Sequence, residues 1–213
     1  VQEFAIAGNT SSNYARMIKA TNGILYGVMA YGGANDSGIL FSYNTSTSSF
    51  TSLYDFNTSN GTQPTAALLQ AANGKLYGLT RYGGTNDKGV LFSYDIASNT
   101  YSKLHDFVQS NGESPMSPLI QATNGLLYGN TMAGGNGYGV LFSFNIATNT
   151  YTNLHNFDYT EGYGPRCSPI QATNGLLYGL TYQGALTLKG SIYSYDISSS
   201  TFSKVFDGNG IAG

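Results

Sequence analysis

Apolar and polar residues alternate along this chain in short runs of roughly five to seven residues. The runs are rich in Leu, Ile, Val, Phe and Tyr and are bounded by Asn, Gly, Asp or Ser. A period of two predicts β-strands, and no stretch keeps helical spacing over three turns. The runs also recur in phase. TNGILYG, ANGKLYG and two copies of TNGLLYG place glycines at 23, 74, 125 and 175, spaced 51, 51 and 50 residues apart. A glycine-rich loop follows each (YGGANDSG, YGGTNDKG, AGGNGYG, QGALTLKG). Next comes a strand (GILFSYN, GVLFSYD, GVLFSFN, GSIYSYD), then an aromatic-led run (FTSLYDF, YSKLHDF, YTNLHNF, FSKVFD).

Each unit therefore predicts four short strands. The Asn-Gly pairs read as hairpin turns in which both residues take positive φ. A second polar turn opens at Asn44, Asp95, Asn145 and Asp196. A repeat of about fifty residues with four strands is the mark of a β-propeller blade. One such sheet cannot bury its faces alone; packed radially, each sheet covers its neighbours. The predicted fold is all-β, one domain over residues 1–213. It is a four-bladed β-propeller with four antiparallel strands per blade, at about 16–56, 67–107, 118–157 and 168–207. The alternative is an open array of the same units, or half of a larger ring completed by a second chain. VQEF at 1–4 matches LHDF at 104–107 and reads as a spare terminal strand. It either closes the ring beside 202–207 or pairs with a neighbouring molecule.

These residues resemble a known repeat. The string NG-x-LYG-x-T-x-x-GG, then G-V-L-F-S-Y and a downstream G-x-x-P, is similar to the bacterial GloVer tandem repeat. That repeat occurs in surface proteins described as having a choice of anchor. The resemblance covers nearly the whole chain in four copies. It implies a propeller-type fold and a secreted or surface-anchored protein, held by a part outside this sequence. It brings no catalytic motif. Two departures stand out: Ala185 replaces the second loop glycine of unit four, and Met29 stands where Thr80, Thr131 and Thr181 stand.

Charge narrows the partners. Only 9% of residues are charged and the net charge is -2, against a usual charged fraction of ~25%. The basic field that nucleic acid demands is absent, and no apolar run approaches the ~18 residues of a membrane span. A single cysteine, Cys167, excludes an intrachain disulfide and a cysteine zinc cage. Its alignment with Ser117 and Ala66 at a strand start predicts a small buried residue.

Catalytic chemistry is hard to assemble, and no catalytic or metal-binding residue is assigned. His105 and His155 share one repeat position with Tyr54 and Phe206, which predicts a packing slot. Asp36 and Asp87 lie in loops that faintly resemble calcium loops but lack a third acid and a bidentate Glu. Calcium is the one cofactor they suggest, and ordinary Asx turns explain them better. Glu113, Asp158 and Glu161 break the repeat and read as solvated loop charge, with Arg166 near Glu161. Paired acids for glycoside hydrolysis would need a set separation across a cleft. Neither G-x-S-x-G nor a nucleophilic Ser-x-x-Lys occurs, and the GG loops lack the helix and Lys-Ser/Thr of a phosphate loop.

Two residue sets remain. Lys19, Gln70, Gln121 and Gln171 sit on the first strand of each unit; they either line a channel or bond backbone groups between blades. The loop residues Tyr31, Asn35, Arg81, Tyr82, Asn86, Tyr138 and Gln183 suit contact with neutral polar surfaces. The expected function is a non-catalytic adhesion or assembly module with a protein or glycan partner. A carbohydrate-binding module is the alternative, and a glycan-degrading enzyme is a more distant third.

Overall fold

The computed structural model describes residues 16–184 and 189–208. The expected strand at 1–4 and Ala185 lie outside them. Four antiparallel sheets follow one another along the chain, each in sequential strand order. Blade one holds β1 (Arg16–Lys19), β2 (Leu25–Met29), β3 (Ile39–Asn44) and β4 (Ser49–Asp55). A linker strand β5 (Thr62–Pro64) leads to blade two: β6 (Leu69–Gln70), β7 (Leu76–Tyr82), β8 (Val90–Asp95) and β9 (Thr100–Asp106). Blade three is β10 (Ile120–Gln121), β11 (Leu127–Thr131), β12 (Val140–Asn145) and β13 (Thr150–Asn156). Blade four is β14 (Ile170–Gln171), β15 (Leu177–Leu180), β16 (Ser191–Asp196) and β17 (Thr201–Asp207). The helical content among the described residues is one 3-10 turn, Gln109–Asn111. The fold is all-β and β-propeller-like, with the four blades of four antiparallel strands that the repeat predicts.

Antiparallel order puts the connections at two ends. The Asn-Gly and Asx turns share one end; the GG loops and the interblade linkers share the other. The Asn-Gly turn differs from its expected form. Only the glycine takes positive φ, at 83°, 81°, 82° and 85° for Gly23, Gly74, Gly125 and Gly175. In blade one the Gly23 N–H bonds Ala20 O at 2.9 Å, and the Ala20 N–H bonds Ile24 O at 3.0 Å. This is a three-residue loop with a glycine bulge rather than a two-residue turn. The asparagine has another task. Its Oδ1 accepts the N–H two residues on, while its Nδ2 donates to the hydroxyl of Tyr26, Tyr77, Tyr128 or Tyr178 at 2.9–3.0 Å. The LYG tyrosine is thus bolted to the turn that precedes it.

The outer strand pair of every blade carries a bulge at one position, between Leu40/Phe41, Leu91/Phe92, Leu141/Phe142 and Ile192/Tyr193. An extra residue breaks the alternation and adds twist. Consequently Leu53 and Tyr54, neighbours in sequence, both pack toward blade two.

Each blade has a leading face, turned to the blade before it, and a trailing face, turned to the next. Three core clusters fill the joints. Val28, Leu40 and Phe56 meet Leu76, Val90 and Phe92. Tyr77, Leu79, Leu91 and Phe107 meet Leu127, Val140 and Phe142. Tyr128, Leu141 and Phe157 meet Leu177, Tyr193 and Tyr195. Most of these side chains are wholly buried, each stabilising the joint by roughly 1.5–3 kcal/mol relative to exposure. A flat ring stack accompanies each cluster: Tyr54 on Tyr101 at 3.9 Å, His105 on Tyr151 at 4.1 Å and His155 on Phe202 at 3.6 Å.

Among the described residues no core cluster joins blade four to blade one. That explains the one burial expectation that fails. Ser117 and Ala66 are buried against the next blade, but Cys167 is exposed. The position is buried only when a following blade covers it.

Candidate functional site

The loop end is built on strained, glycine-dependent turns. Gly33 and Gly84 hold positive φ, and a Cβ on Gly33 would strike the Asp55 carboxylate. Asp36 and Asp87 accept the Gly32 and Gly83 N–H groups at 2.9 and 2.8 Å. Asn35 and Asn86 donate their amides to Phe56 O and Phe107 O. These four residues hold the loops in shape, which leaves Asn35 and Asn86 with little to offer a ligand. Among the described residues no group of three or more His, Cys, Asp or Glu gathers where a metal ion would sit.

The glutamines lie at the opposite end. The Gln70, Gln121 and Gln171 Oε1 atoms each accept a backbone N–H from the preceding blade, those of Thr21, Ala72 and Thr123, all at 2.8 Å. Their Nε2 atoms donate to Gly74 O, Gly125 O and Gly175 O. These amides pin one blade to the next. Lys19, exposed in blade one, carries no acceptor for this bond.

The strand-end rings are more polar than a plain packing slot. Tyr54 accepts from Asn60, His105 contacts Asn111 at 3.4 Å, and His155 Nε2 meets Glu161 Oε2 at 2.7 Å. In each case the partner lies six residues on, in the linker. Glu161, expected as solvated charge beside Arg166, is therefore an anchor for the linker. Glu113 likewise pairs with Lys88 at 2.7 Å, and that contact holds the Lys88 ammonium above its ordinary pKa. Burial pushes His105 below its ordinary value, against the charge of Asp106.

The loop candidates do not form one site. Tyr31 sits half-buried in blade one. In blade two Arg81 lies over the Tyr82 ring at 4.8 Å. Tyr138 and Gln183 do converge, on Tyr163: the Tyr138 and Tyr163 rings are 5.4 Å apart, and the Tyr163 hydroxyl donates to Gln183 Oε1 at 3.0 Å. Tyr159 stacks on Tyr163 at 6.0 Å, and Arg166 covers the Tyr182 ring at 3.9 Å. Tyr159 and Tyr182 are about half exposed. The result is an aromatic cluster with an exposed guanidinium and an amide, at the loop end of the joint between blades three and four. Tyr159, Tyr163, Arg166 and Tyr182 were not picked from the sequence. A signal existed: against NTSNGTQPT and VQSNGESPM, the third linker reads DYTEGYGPR, so both tyrosines and the arginine break the repeat.

The fold is shared widely. The extracellular domain of a hybrid two-component system from B. thetaiotaomicron superposes with a TM-score of 0.61 at 16% identity, covering 92% of this chain and 23% of that one. A puromycin-hydrolysing peptidase of Mycobacterium tuberculosis gives 0.59 at 12% identity, covering 91% and 28%. TolB from Acinetobacter baumannii gives 0.54 at 11% identity, covering 86% and 40%. The chain thus spans less than half the length of each. No curated protein matches it in sequence. Among the described residues no helix is long and apolar enough to cross a membrane. The profile of the Gloeobacter/Verrucomicrobia repeat matches residues 2–184. With its four in-phase blades, the chain belongs to the Gloeobacter/Verrucomicrobia repeat family.

Proposed function

We propose that this protein is a non-catalytic, extracellular or cell-surface β-propeller that works as an adhesion or assembly module, with the loop end as its contact surface. The observation that carries the reading is the Tyr138–Tyr159–Tyr163–Tyr182 cluster with Arg166. Half-exposed tyrosines offer a flat apolar face and a hydroxyl at low entropic cost, and such rings concentrate at protein contacts. The sparse charge suits a partner that is itself neutral and polar. The GloVer resemblance and the extracellular domain among the structural neighbours support a location outside the cell.

Glycan binding is the second reading, favoured by the Arg166–Tyr182 stack beside the Gln183 amide, a mixture of ring face and polar groups that matches a sugar. Retention on intact bacterial cells and on a glycan array tests both. The Tyr159→Ala/Tyr182→Ala variant should lose retention with little change in melting temperature, because both side chains are half exposed and neither belongs to an interblade core cluster. Equal retention by the variant would contradict the assignment of the surface. Array signal lost with the variant would select the glycan reading.

A further inference from the structure

The joint between blades three and four departs from the other two at one place in its linker. In all three joints a linker N–H bonds back to the loop before it: Gln63 N to Ser37 O, Ser114 N to Lys88 O and Gly164 N to Tyr138 O, at 2.8–2.9 Å. That bond brings the same neighbouring positions together each time. Between blades two and three they are Lys88 and Glu113, paired at 2.7 Å. Between blades three and four they are Tyr138 and Tyr163, with rings 5.4 Å apart. An ion pair has become a ring pair. The bonded residue changes as well. Gln63 and Ser114 carry side chains at a φ of 53°, whereas Gly164, at 63°, carries none. A Cβ on Gly164 would meet nothing closer than Met132 O at 3.7 Å and the Tyr182 Cβ at 3.9 Å. The glycine thus leaves a notch beside the base of Tyr182.

The groups around the notch are mostly donors and ring faces. Arg166 is exposed and lies over the Tyr182 ring at 3.9 Å. Among the described residues its guanidinium has no ion pair or hydrogen bond. The acids nearest in sequence are already held. Asp158 accepts the Thr160 and Glu161 N–H groups, and Glu161 meets His155 at 2.7 Å. Gln183 Oε1 accepts from the Tyr163 hydroxyl, which leaves Nε2 without a partner among the described residues. A guanidinium matches a planar carboxylate, two N–H groups to two oxygens. The tyrosine beside it offers a flat apolar face.

We propose that this notch binds a uronic acid residue of a polysaccharide, with its carboxylate on Arg166, its ring against Tyr182 and a hydroxyl oxygen on Gln183 Nε2. The inference rests on the glycan reading of the cluster and narrows it to acidic sugars. An acidic peptide fits less well. It brings several carboxylates to a cluster with one unpaired cation, on a chain whose net charge is -2. A uronic residue among neutral sugars brings one, in keeping with a partner that is otherwise neutral and polar.

Calorimetric titration with matched oligosaccharides tests this. Oligomers containing galacturonate, glucuronate or mannuronate are each compared with the carboxyl-reduced form, and poly-glutamate of similar length stands for an acidic peptide. At least one uronate oligomer should bind about ten- to hundredfold more tightly than its reduced form. Arg166→Gln should remove that preference without changing the melting temperature, and Arg166→Lys should keep part of it. Gly164→Gln copies Gln63 at a similar φ. Checked for an unchanged β-sheet spectrum, it should fill the notch and lose both forms while every contact group stays in place. Equal binding of the uronate and reduced forms, or undiminished binding by Gly164→Gln, would overturn the inference and leave the glycan reading standing. Binding of none of the oligosaccharides would overturn both. Poly-glutamate binding tighter than every uronate oligomer, and lost in Arg166→Gln, would assign the notch to an acidic peptide instead.

Discussion

Asn130 shows how one residue can rewrite a joint. It stands where Leu79 stands in blade two, yet it is wholly buried. The reason lies in the next blade, where Tyr193 replaces the Phe142 type of ring. The Tyr193 hydroxyl donates to Asn130 Oδ1 at 3.0 Å, and Asn130 Nδ2 donates to Cys167 O at 2.9 Å. Asn130→Leu leaves a buried hydroxyl without its acceptor, and Tyr193→Phe leaves the amide without its donor. Each is expected to cost about 1–3 kcal/mol. The double variant rebuilds the leucine-on-phenylalanine joint of blades two and three and should lose less than the sum. Additive losses in chemical denaturation would show that the pair is uncoupled. His105 gives a pH-dependent counterpart. Burial lowers its folded pKa below the ordinary 6.5. The unfolded chain therefore takes up a proton first as pH falls. The His105 contribution is fully present above about pH 6.5 and is lost as pH drops through the lowered folded value. His105→Phe, which mimics Phe206, should reduce the fall in melting temperature between about pH 7 and pH 5. An unaltered slope would assign the pH dependence elsewhere. The packing role of the His/Tyr/Phe slot was legible because three residue types share it. The Asn130–Tyr193 bond was not, because two substitutions sixty-three residues apart in sequence cancel only in space.

At the scale of the element, the turns carry most of the sequence information. Asn-Gly announces a hairpin, yet the pair alone does not tell a two-residue turn from a three-residue loop with a bulge. The deciding fact is the bond from asparagine to the tyrosine four residues on, a contact that no propensity records. The Asx turns are simpler. Asp95 and Asp196 accept N–H groups two and three residues on, and the turn closes through a residue at positive φ. That residue is Asn99 and Asn149 in blades two and three but Ser48 and Ser200 in blades one and four. Asparagine tolerates the left-handed region better than serine does. Ser48→Asn and Ser200→Asn should each stabilise by about 0.5–1 kcal/mol, read as a raised denaturant midpoint with unchanged slope. A lowered midpoint would mean that the serine hydroxyl has a role the turn geometry does not show. The Asp196 carboxyl, held down to about 2 by the Ser198 hydroxyl and backbone N–H, keeps its turn intact well into acid. Its contribution is complete above the ordinary 3.8 and is lost as pH falls through about 2.

Among the described residues, the molecule is a series of four blades linked by three repeated joints. Four copies at nearly constant spacing made the number of blades and the strands within them readable from sequence. The openness of the blade-four trailing face was not readable, since Ile170, Leu180 and Phe206 keep the apolar character of their buried counterparts. Cys167 was misread for the same reason: its neighbours by alignment are buried by a blade that, for blade four, is not there among the described residues. The loop-end cluster falls between these cases, visible as tyrosines that break the repeat but assembled only when blades three and four meet. A linear series predicts uneven stability. Among the described residues, blades two and three are covered on both faces and blade four on one. Hydrogen exchange, followed by mass spectrometry at a concentration where the chain keeps its single-chain mass, measures this directly. Protection should be highest in β7, β8, β11 and β12 and lowest in β14 and β15, with blade four opening before the rest. Equal protection in all four blades would contradict the account, because it would require a fourth joint that covers the trailing face of blade four.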